Sequence, residues 1–169
     1  MILQTILERS GLREGKEYET QSSYTTEDDQ RLRPDVVVRL PQDRFIVIDS
    51  KVSLNAYEAY SSTDDPAEQE RHLKAHVQSL KTHVSGLSKK EYDKIHDQKS
   101  PDYVLLFVPI EAAYTVALSR EEALYTDSFD KRIIIVSPTT LMATLATVDT
   151  MWRQQNQTEN AMKIADRGG

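Results

Sequence analysis

Two aspartates and a lysine in the first third of the chain have residue types and a spacing suited to phosphodiester hydrolysis. Asp35 follows a proline, and Asp49 and Lys51 are separated by a single residue. Carboxylate oxygens bind Mg²⁺ together with water and substrate phosphate oxygens, and a nearby lysine can orient the attacking water or help to deprotonate it. The pattern therefore indicates a candidate catalytic site in which Asp35 and Asp49 hold Mg²⁺ or Mn²⁺ and Lys51 positions water.

A β-hairpin is predicted around the segment that separates Asp35 from Asp49. Residues 36–38 and 45–48 are β-branched or aromatic, which is typical of strands. Between them, residues 41–44 read Pro-Gln-Asp-Arg, and proline and aspartate favour a tight reversal of the chain. We therefore expect two antiparallel strands joined by a short turn.

The hairpin would bring the charged residues together at its open end. Paired residues in a short antiparallel hairpin have a constant sum of residue numbers, so Asp35 is expected opposite Asp49 and Ser50. Side chains alternate along a strand, and Asp49 and Lys51 therefore share a face. Two carboxylates at this distance repel each other, which raises the pKa of one of them unless a cation lies between them. A divalent ion bound by both carboxylates and the Ser50 backbone carbonyl would remove that repulsion, whereas an ordinary surface salt bridge is the simpler alternative.

The composition limits the classes of protein that the chain can represent. Its 169 residues suit one domain, and a hydrophobic content of 38% is enough for a core. Without cysteine, disulfides and thiolate metal sites are excluded. No apolar run is as long as a membrane span, so we expect a soluble, cytoplasmic segment without membrane contact. The net charge of −6 argues against bulk coating of nucleic acid, and any contact with DNA must be local.

The rest of the chain predicts alternating helices and strands that would support this hairpin. Before the hairpin, we expect a helix that ends near Ser10-Gly11, a strand at 17–24 and a loop at 25–32. After the hairpin, we expect a long helix that begins near Asp65 and carries an apolar stripe, and then a buried strand at 103–108. Helical segments at 111–118 and 120–125, a buried strand at 133–136 and a final helix complete the chain; the final helix begins at Ser137-Pro138 and turns polar beyond Arg153.

Basic residues beside the hairpin and on the long helix are candidates for contact with DNA. Arg33 lies beside the first aspartate, and Lys81 and Lys89 belong to the long helix. His72, His76 and His83 lie on one side of that helix, because steps of four and seven residues return to nearly the same angle. Solvated charge is the simpler interpretation for most of these residues, and a zinc site is disfavoured because neither cysteine nor a fourth ligand is evident.

Glu8 is a further, weaker candidate for the catalytic site. It lies near the C-terminal end of the first predicted helix, where the helix dipole disfavours a negative charge. A charge placed against the dipole suggests a functional reason, and Glu8 is therefore included among the candidate catalytic residues.

The order of the predicted elements resembles the αβββαβ core of the PD-(D/E)xK nuclease superfamily. Pro34-Asp35 and Asp49-Ser50-Lys51 match the signature of that superfamily and fall on its second and third strands. The resemblance implies an α/β fold with a mixed central sheet flanked by helices. In this chain an extra helix, strand and helix would follow the core.

Several longer segments resemble the conserved domain of the RmuC family of bacterial DNA recombination proteins. They occur in the order of the family and span nearly the whole chain, at residues 7–12, 33–37, 49–54, 103–109 and 137–141. The resemblance implies that residues 1–169 form one nuclease-like domain, a piece of a longer protein with a tether to the inner membrane, a coiled coil for self-association and a C-terminal extension. In family members the acidic residue of the first helix lies before residue 1, so Glu8 is only a substitute for it.

Two functions are compatible with these residues. The first is a Mg²⁺-dependent deoxyribonuclease, of the endo or exo type, that acts in recombination on branched or repeat-containing DNA. The alternative is a catalytically inactive nuclease fold that binds DNA structures or serves as a scaffold, because a fold does not fix a function. The presence of Asp35, Asp49 and Lys51 together favours catalysis.

Overall fold

Five strands form a mixed sheet in the computed structural model, which describes residues 2–20, 34–90 and 100–168. The strands are β1 (Tyr18–Thr20), β2 (Val36–Leu40), β3 (Arg44–Asp49), β4 (Val104–Phe107) and β5 (Ile133–Val136). They lie side by side in chain order. The pairs β1–β2 and β2–β3 are antiparallel, and the pairs β3–β4 and β4–β5 are parallel. The expected α/β fold with a mixed sheet is confirmed.

Helices cover both faces of this sheet. They are α1 (Ile2–Glu8), α2 (Asn55–Ser61), α3 (Pro66–Ser88), α4 (Glu111–Arg120), α5 (Ala123–Asp130) and α6 (Pro138–Gly168). One core lies between the sheet and helices α1 and α6, and a second lies between the sheet and helices α3 and α4. Within the described ranges, no helix is both long and apolar enough to cross a membrane.

Alternation along the hairpin strands decides which core each side chain enters. Val36, Val38, Ile46 and Ile48 are buried with α1 and α6. Val37 and Val47 point the other way and are buried against α3. The side chains of odd-numbered residues at the open end of the hairpin are therefore directed toward the α3 side of the sheet.

Helix α6 is buried in its first half and exposed in its second. Leu141, Leu145 and Val148 pack into the core, and the indole N–H of Trp152 donates a hydrogen bond of 2.9 Å to the backbone carbonyl of Arg39 in β2. From Arg153 to residue 167, every side chain except that of Gln155 is exposed. The prediction that this helix leaves the core is confirmed.

Three features of the fold differ from the expectation or fall outside it. Helix α2 was not predicted, because its sequence is short and rich in polar residues and the helix is stabilised by packing on α3 rather than by a strong local pattern. The predicted loop at 25–32 lies outside the described residues, as does the end of the strand predicted at 17–24.

The turn of the hairpin has an unusual backbone for its sequence. Gln42 and Asp43 are consecutive positions of the three-residue loop between Leu40 and Arg44, and their φ angles of 66° and 61° lie in the left-handed region that residues other than glycine rarely adopt. Asparagine and glycine are the residues that adopt this conformation most readily. Glutamine at the first position is therefore strained.

Replacing Gln42 with asparagine should raise the free energy of unfolding by about 0.5 kcal/mol, because asparagine tolerates the left-handed conformation better and adds no backbone freedom to the unfolded chain. Urea unfolding of both proteins measures the difference. Gln157→Asn is a suitable control, since Gln157 is exposed in α6 with an ordinary helical backbone. A Gln42→Asn protein less stable than wild type would contradict this account of the turn.

Candidate functional site

The register of the hairpin places Asp35 and Asp49 at the same level of the sheet. Val36 pairs with Ile48, so the next pair toward the open end is formed by Asp35 and Asp49. The Ser50 backbone N–H and hydroxyl both donate to Oδ2 of Asp35, at 2.8 Å and 3.0 Å. These two hydrogen bonds fix the Asp35 carboxylate and leave its other oxygen, Oδ1, directed toward Lys51.

Asp49 is the most enclosed charged group of this site. Its side chain is only 1% exposed and lies under α3 at the C-terminal end of β3. His83 Nε2 is 3.2 Å from Oδ1, Lys90 Nζ is 3.7 Å from Oδ2, and the backbone N–H of Lys51 donates to Oδ1 at 3.2 Å. Two basic side chains presented by or just beyond α3 therefore contact both oxygens of this carboxylate.

The pKa of Asp49 reflects these contacts. Burial raises the pKa of the carboxyl group, but the hydrogen bond from His83, the N–H of Lys51 and the charge of Lys90 outweigh burial and hold the pKa below its ordinary value of 3.8. The sequence predicted that repulsion from Asp35 would need a divalent ion to relieve it. In this structure the basic side chains of the protein itself stabilise the Asp49 charge.

Lys51 lies on the same side of the site but contacts the other aspartate. Its Nζ is 4.0 Å from Oδ1 of Asp35, and its side chain is 56% exposed. The sequence placed Lys51 beside Asp49 on a shared face, and the contact with Asp49 is made by the Lys51 backbone. The ammonium group is thus held next to a carboxylate while remaining open to water.

The oxygen atoms of Asp35 and Asp49 are hard donors of the kind that Mg²⁺ and Mn²⁺ prefer. In the described part of the chain, no group of three or more histidine, cysteine, aspartate or glutamate side chains is arranged to hold a metal ion. Mg²⁺ usually binds one or two carboxylates and completes its shell with water and substrate oxygens, so two aspartates fit such an ion. The Ser50 carbonyl, predicted as a third ligand, accepts a hydrogen bond from the N–H of Val52 at 3.0 Å.

Glu8 is not brought to this site. Its side chain is exposed and accepts a hydrogen bond of 3.2 Å from Gln4. Burial raises the pKa of the Tyr18 hydroxyl, and the nearby charge of Glu8 adds to that rise. Helix α1 covers the face of the sheet opposite the one that carries Asp49. Glu8 therefore does not replace a helix-borne acidic ligand at this site.

His76 is also excluded from the surface that was proposed for it. The side chain is fully buried, its Nε2–H donates to the Ala113 carbonyl in α4 at 2.9 Å, and its ring lies 5.7 Å from that of Tyr57 in α2. A side chain enclosed by three helices cannot contact DNA on the surface. His76 joins α3 to α4, and the prediction of a DNA contact is wrong.

The other four predicted DNA contacts differ in outcome. Lys81 forms an ion pair of 2.6 Å with Glu121 on the side of α3 that faces α4 and α5, away from Asp49. Lys89 is exposed at the C-terminal end of α3, while Arg33 lies outside the described residues. His83, by contrast, is part of the site through Asp49.

Sequence reasoning missed the joint contact of His83 and Lys90 with Asp49. The sequence contained the necessary pattern: Lys90 follows His83 by seven residues, and such a step returns to nearly the same side of a helix. Strand alternation also directs Asp49 to the side of the sheet that packs on the apolar stripe of α3. Combining the two periodicities would have predicted the pairing.

Comparison with known proteins gives relatives at high identity along the whole chain. A Pseudomonas aeruginosa protein is 49% identical over 169 residues, a Neisseria meningitidis protein 48% over 173, and the Escherichia coli K12 protein 44% over 167. All three are named DNA recombination protein RmuC or a homolog of it. The matches cover 99–100% of this chain but only 37%, 29% and 35% of the respective relatives, so the chain spans about a third of their length.

No solved structure matches the chain, and the assignment therefore depends on sequence. The profile described as the RmuC family matches residues 1–169, which include both aspartates, Lys51 and the helix that supplies His83. This match over residues 1–169, together with the three relatives, shows that the chain belongs to the RmuC family.

Proposed function

We propose that this domain is a metal-dependent deoxyribonuclease of the PD-(D/E)xK type that acts in DNA recombination. The observation that carries the proposal is the hairpin register, which sets Asp35 opposite Asp49 with Lys51 on the adjoining strand end. Two carboxylates and a lysine at the open end of a hairpin are the groups that such hydrolysis requires. The antiparallel and parallel strands around them agree with the αβββαβ core expected for that superfamily.

Asp35 and Asp49 would hold the Mg²⁺ or Mn²⁺ ion. When bound, the ion supplies positive charge to the phosphodiester and lowers the pKa of its water. Ser50 fixes one oxygen of Asp35 and leaves the other available, while Asp49 is held in place by His83 and Lys90. Binding an ion at Asp49 requires at least one of these basic side chains to move away.

Lys51 would position the attacking water. Its ammonium group is held 4.0 Å from Asp35 Oδ1 and is open to solvent, so it can donate to a water molecule beside that carboxylate. Lysine offers three donors on a flexible stem, which allows it to contact both the water and a carboxylate oxygen.

DNA is the substrate suggested by the names of the relatives, each a DNA recombination protein. We further propose branched or repeat-containing DNA, the forms that arise in recombination, and self-association through a coiled coil in the longer protein. With a net charge of −6, the domain would bind DNA through a few local basic residues.

A second candidate function is a nuclease-like module that binds DNA without cleaving it. One observation favours it: both oxygens of Asp49 are already contacted by basic side chains. In that case the acidic pair would stabilise the fold instead of binding an ion. Ion binding and cleavage distinguish the two functions.

Thermal unfolding in the presence of Mg²⁺, Mn²⁺ or a chelator tests the proposed ion site. An ion that binds only the folded protein raises its stability by about 2.7 kcal/mol at one hundred times the dissociation constant. Incubation with linear and branched DNA under the same conditions should produce nicked product only when the ion is present. Asp35→Asn is the matched control, because it keeps the shape of the side chain and removes its charge.

Stabilisation by the ion together with ion-dependent cleavage would support the nuclease. DNA binding without cleavage or ion-dependent stabilisation would instead favour the binding module. Cleavage by Asp35→Asn at the wild-type rate would mean that a contaminating nuclease or another site is responsible.

A further inference from the structure

An open groove runs along α3 beside the aspartate site. It has a volume of about 640 Å³ and lies between α3 and the segment that follows β3. It extends along just over three turns of the helix, from Ala75 to Leu87, or about 18 Å. Its lining residues are Lys51, Ser53, Ala75, Gln78, Ser79, Thr82, His83, Gly86, Leu87 and Lys90.

Small side chains form the α3 wall of this groove. Ala75, Ser79, Thr82 and Gly86 follow one another at steps of four, three and four residues, which is one side of a helix. A Cβ atom built on Gly86 meets no atom within 4 Å. The wall is therefore low, and a polymer backbone can approach the helix closely.

The basic side chains of the groove lie at its end next to Asp49. Lys51, His83 and Lys90 line the groove, and no acidic side chain is among the described residues that line it. His83 and Lys90 are partly exposed, at 23% and 29%, although both contact the buried Asp49. Each can therefore contact a ligand in the groove.

The opposite side of α3 has a different charge arrangement. Lys81 lies there, paired with Glu121, and Arg120 is paired with Glu70. These two basic residues are thus paired with carboxylates, while Lys74 on the same side is exposed. Beside the aspartates, His83 and Lys90 contact Asp49 but stay partly exposed, at the position that a phosphate of a bound substrate would occupy.

We propose that this groove binds one single strand of nucleic acid by its phosphates, with Lys90 exchanging Asp49 for a phosphate oxygen as the strand binds. The proposal rests on the nuclease function above and specifies its substrate as a single-stranded end or flap. A groove of about 640 Å³ is comparable in volume to a small-molecule pocket, which favours a single strand over the wider double helix. Because its wall lacks aromatic side chains among the lining residues, binding through phosphates would be independent of sequence.

The exchange also has a consequence for the ion site. A phosphate that takes Lys90 away from Asp49 frees one carboxylate oxygen for a divalent ion. The bound strand and the ion would then increase each other's affinity, since such coupling is reciprocal.

Fluorescence anisotropy with a labelled oligothymidylate of about a dozen nucleotides tests strand binding, in a chelator to prevent cleavage. Lys90→Met should weaken binding about tenfold and lower the dependence of log affinity on log salt concentration by about 0.7, the contribution of one phosphate contact on a single strand. Lys81→Met removes the same side chain from the other side of α3 and should bind as wild type does. The duplex of the same length should bind more weakly than the single strand.

Two further variants test the groove without weakening the contacts of Asp49. Gly86→Leu fills the open space above the helix and should reduce binding of the single strand about tenfold. Thr82→Lys adds a positive charge to the same wall and should strengthen binding. Ser88→Leu is the control for Gly86→Leu, because Ser88 is exposed on α3 but does not line the groove.

Equal loss of binding in Lys81→Met and Lys90→Met would overturn the proposal, as would wild-type binding by Gly86→Leu. Preference for the duplex would overturn it as well. If the groove variants behave as expected but the wild type never cleaves DNA, strand binding is supported and the nuclease function fails. If Gly86→Leu instead cleaves DNA at the wild-type rate, the nuclease function is supported and strand binding by this groove fails.

Discussion

Replacing Lys51 with alanine is expected to abolish DNA cleavage while the affinity for Mg²⁺ or Mn²⁺ stays the same or rises slightly. The Lys51 ammonium lies 4.0 Å from Asp35 Oδ1 and is 56% exposed, so its loss removes a donor to water and a positive charge beside a carboxylate. The loss of a group that positions or activates the nucleophile typically lowers the rate by about 10²- to 10⁴-fold. Calorimetry measures the ion affinity, and nicking of linear and branched DNA measures the rate.

Lys131→Ala is the matched control for this substitution. Lys131 is exposed and precedes β5, so it lies at the opposite end of the parallel strands from Asp49. It should cleave as wild type does. If Lys51→Ala retains the wild-type rate, the role assigned to Lys51 is wrong; if it loses ion affinity together with cleavage, Lys51 acts in forming the ion site.

Replacing Asp49 with asparagine should lower the free energy of unfolding by about 2–3 kcal/mol at neutral pH. Removing one partner of a fully buried ion pair costs about 3–5 kcal/mol, and the cost is smaller here because Lys90 and His83 retain access to water. The sequence alone suggested the opposite result, relief of repulsion between two carboxylates. The basic partners of Asp49 reverse that expectation.

The effect of Asp49→Asn should depend on pH in a defined direction. The pKa of Asp49 is lower in the folded protein than its ordinary value of 3.8, so the charged carboxylate stabilises the fold above that pH. This contribution is lost as the pH falls through the lower, folded-state pKa. The difference in stability between wild type and Asp49→Asn should therefore be largest at neutral pH and narrow below about 3.8.

Urea unfolding of both proteins across this pH range provides the measurement. Asp35→Asn is the control, because an amide oxygen can still accept the two hydrogen bonds that Ser50 donates to Asp35. Its effect on stability at neutral pH should be smaller. An Asp49→Asn protein as stable as wild type at neutral pH would contradict the stabilising role of His83 and Lys90.

Local sequence patterns were sufficient to predict the hairpin and the start of α3. The constant sum of paired residue numbers correctly placed Asp35 opposite Asp49, because a short turn leaves only one register that buries both apolar runs. Asp65 and Pro66 correctly marked the beginning of α3. The left-handed backbone at Gln42 could not be predicted, since glutamine rarely adopts it.

The basic residues of α3 show why part of the site was predicted incorrectly. Lys81 and His83 are two residues apart, about 200° around the helix axis, and therefore lie on opposite sides of the helix. Their angular positions were available from the sequence, but their partners were not. His76 and His83 share a side, yet α4 covers only the first, and helical periodicity does not reveal where along a helix its neighbour ends.

The exposed second half of α6 converts a small change in helix tilt into a large displacement of its far end. From Arg153 onward the helix rises about 24 Å along its axis, and among the described residues its direction is set by the buried first half and the hydrogen bond from Trp152 to β2. A change of about 10° in the tilt of α6 would move the far end by about 4 Å. Small rearrangements of packing around Leu141, Leu145 and Val148 would thus be amplified at a point far from the core.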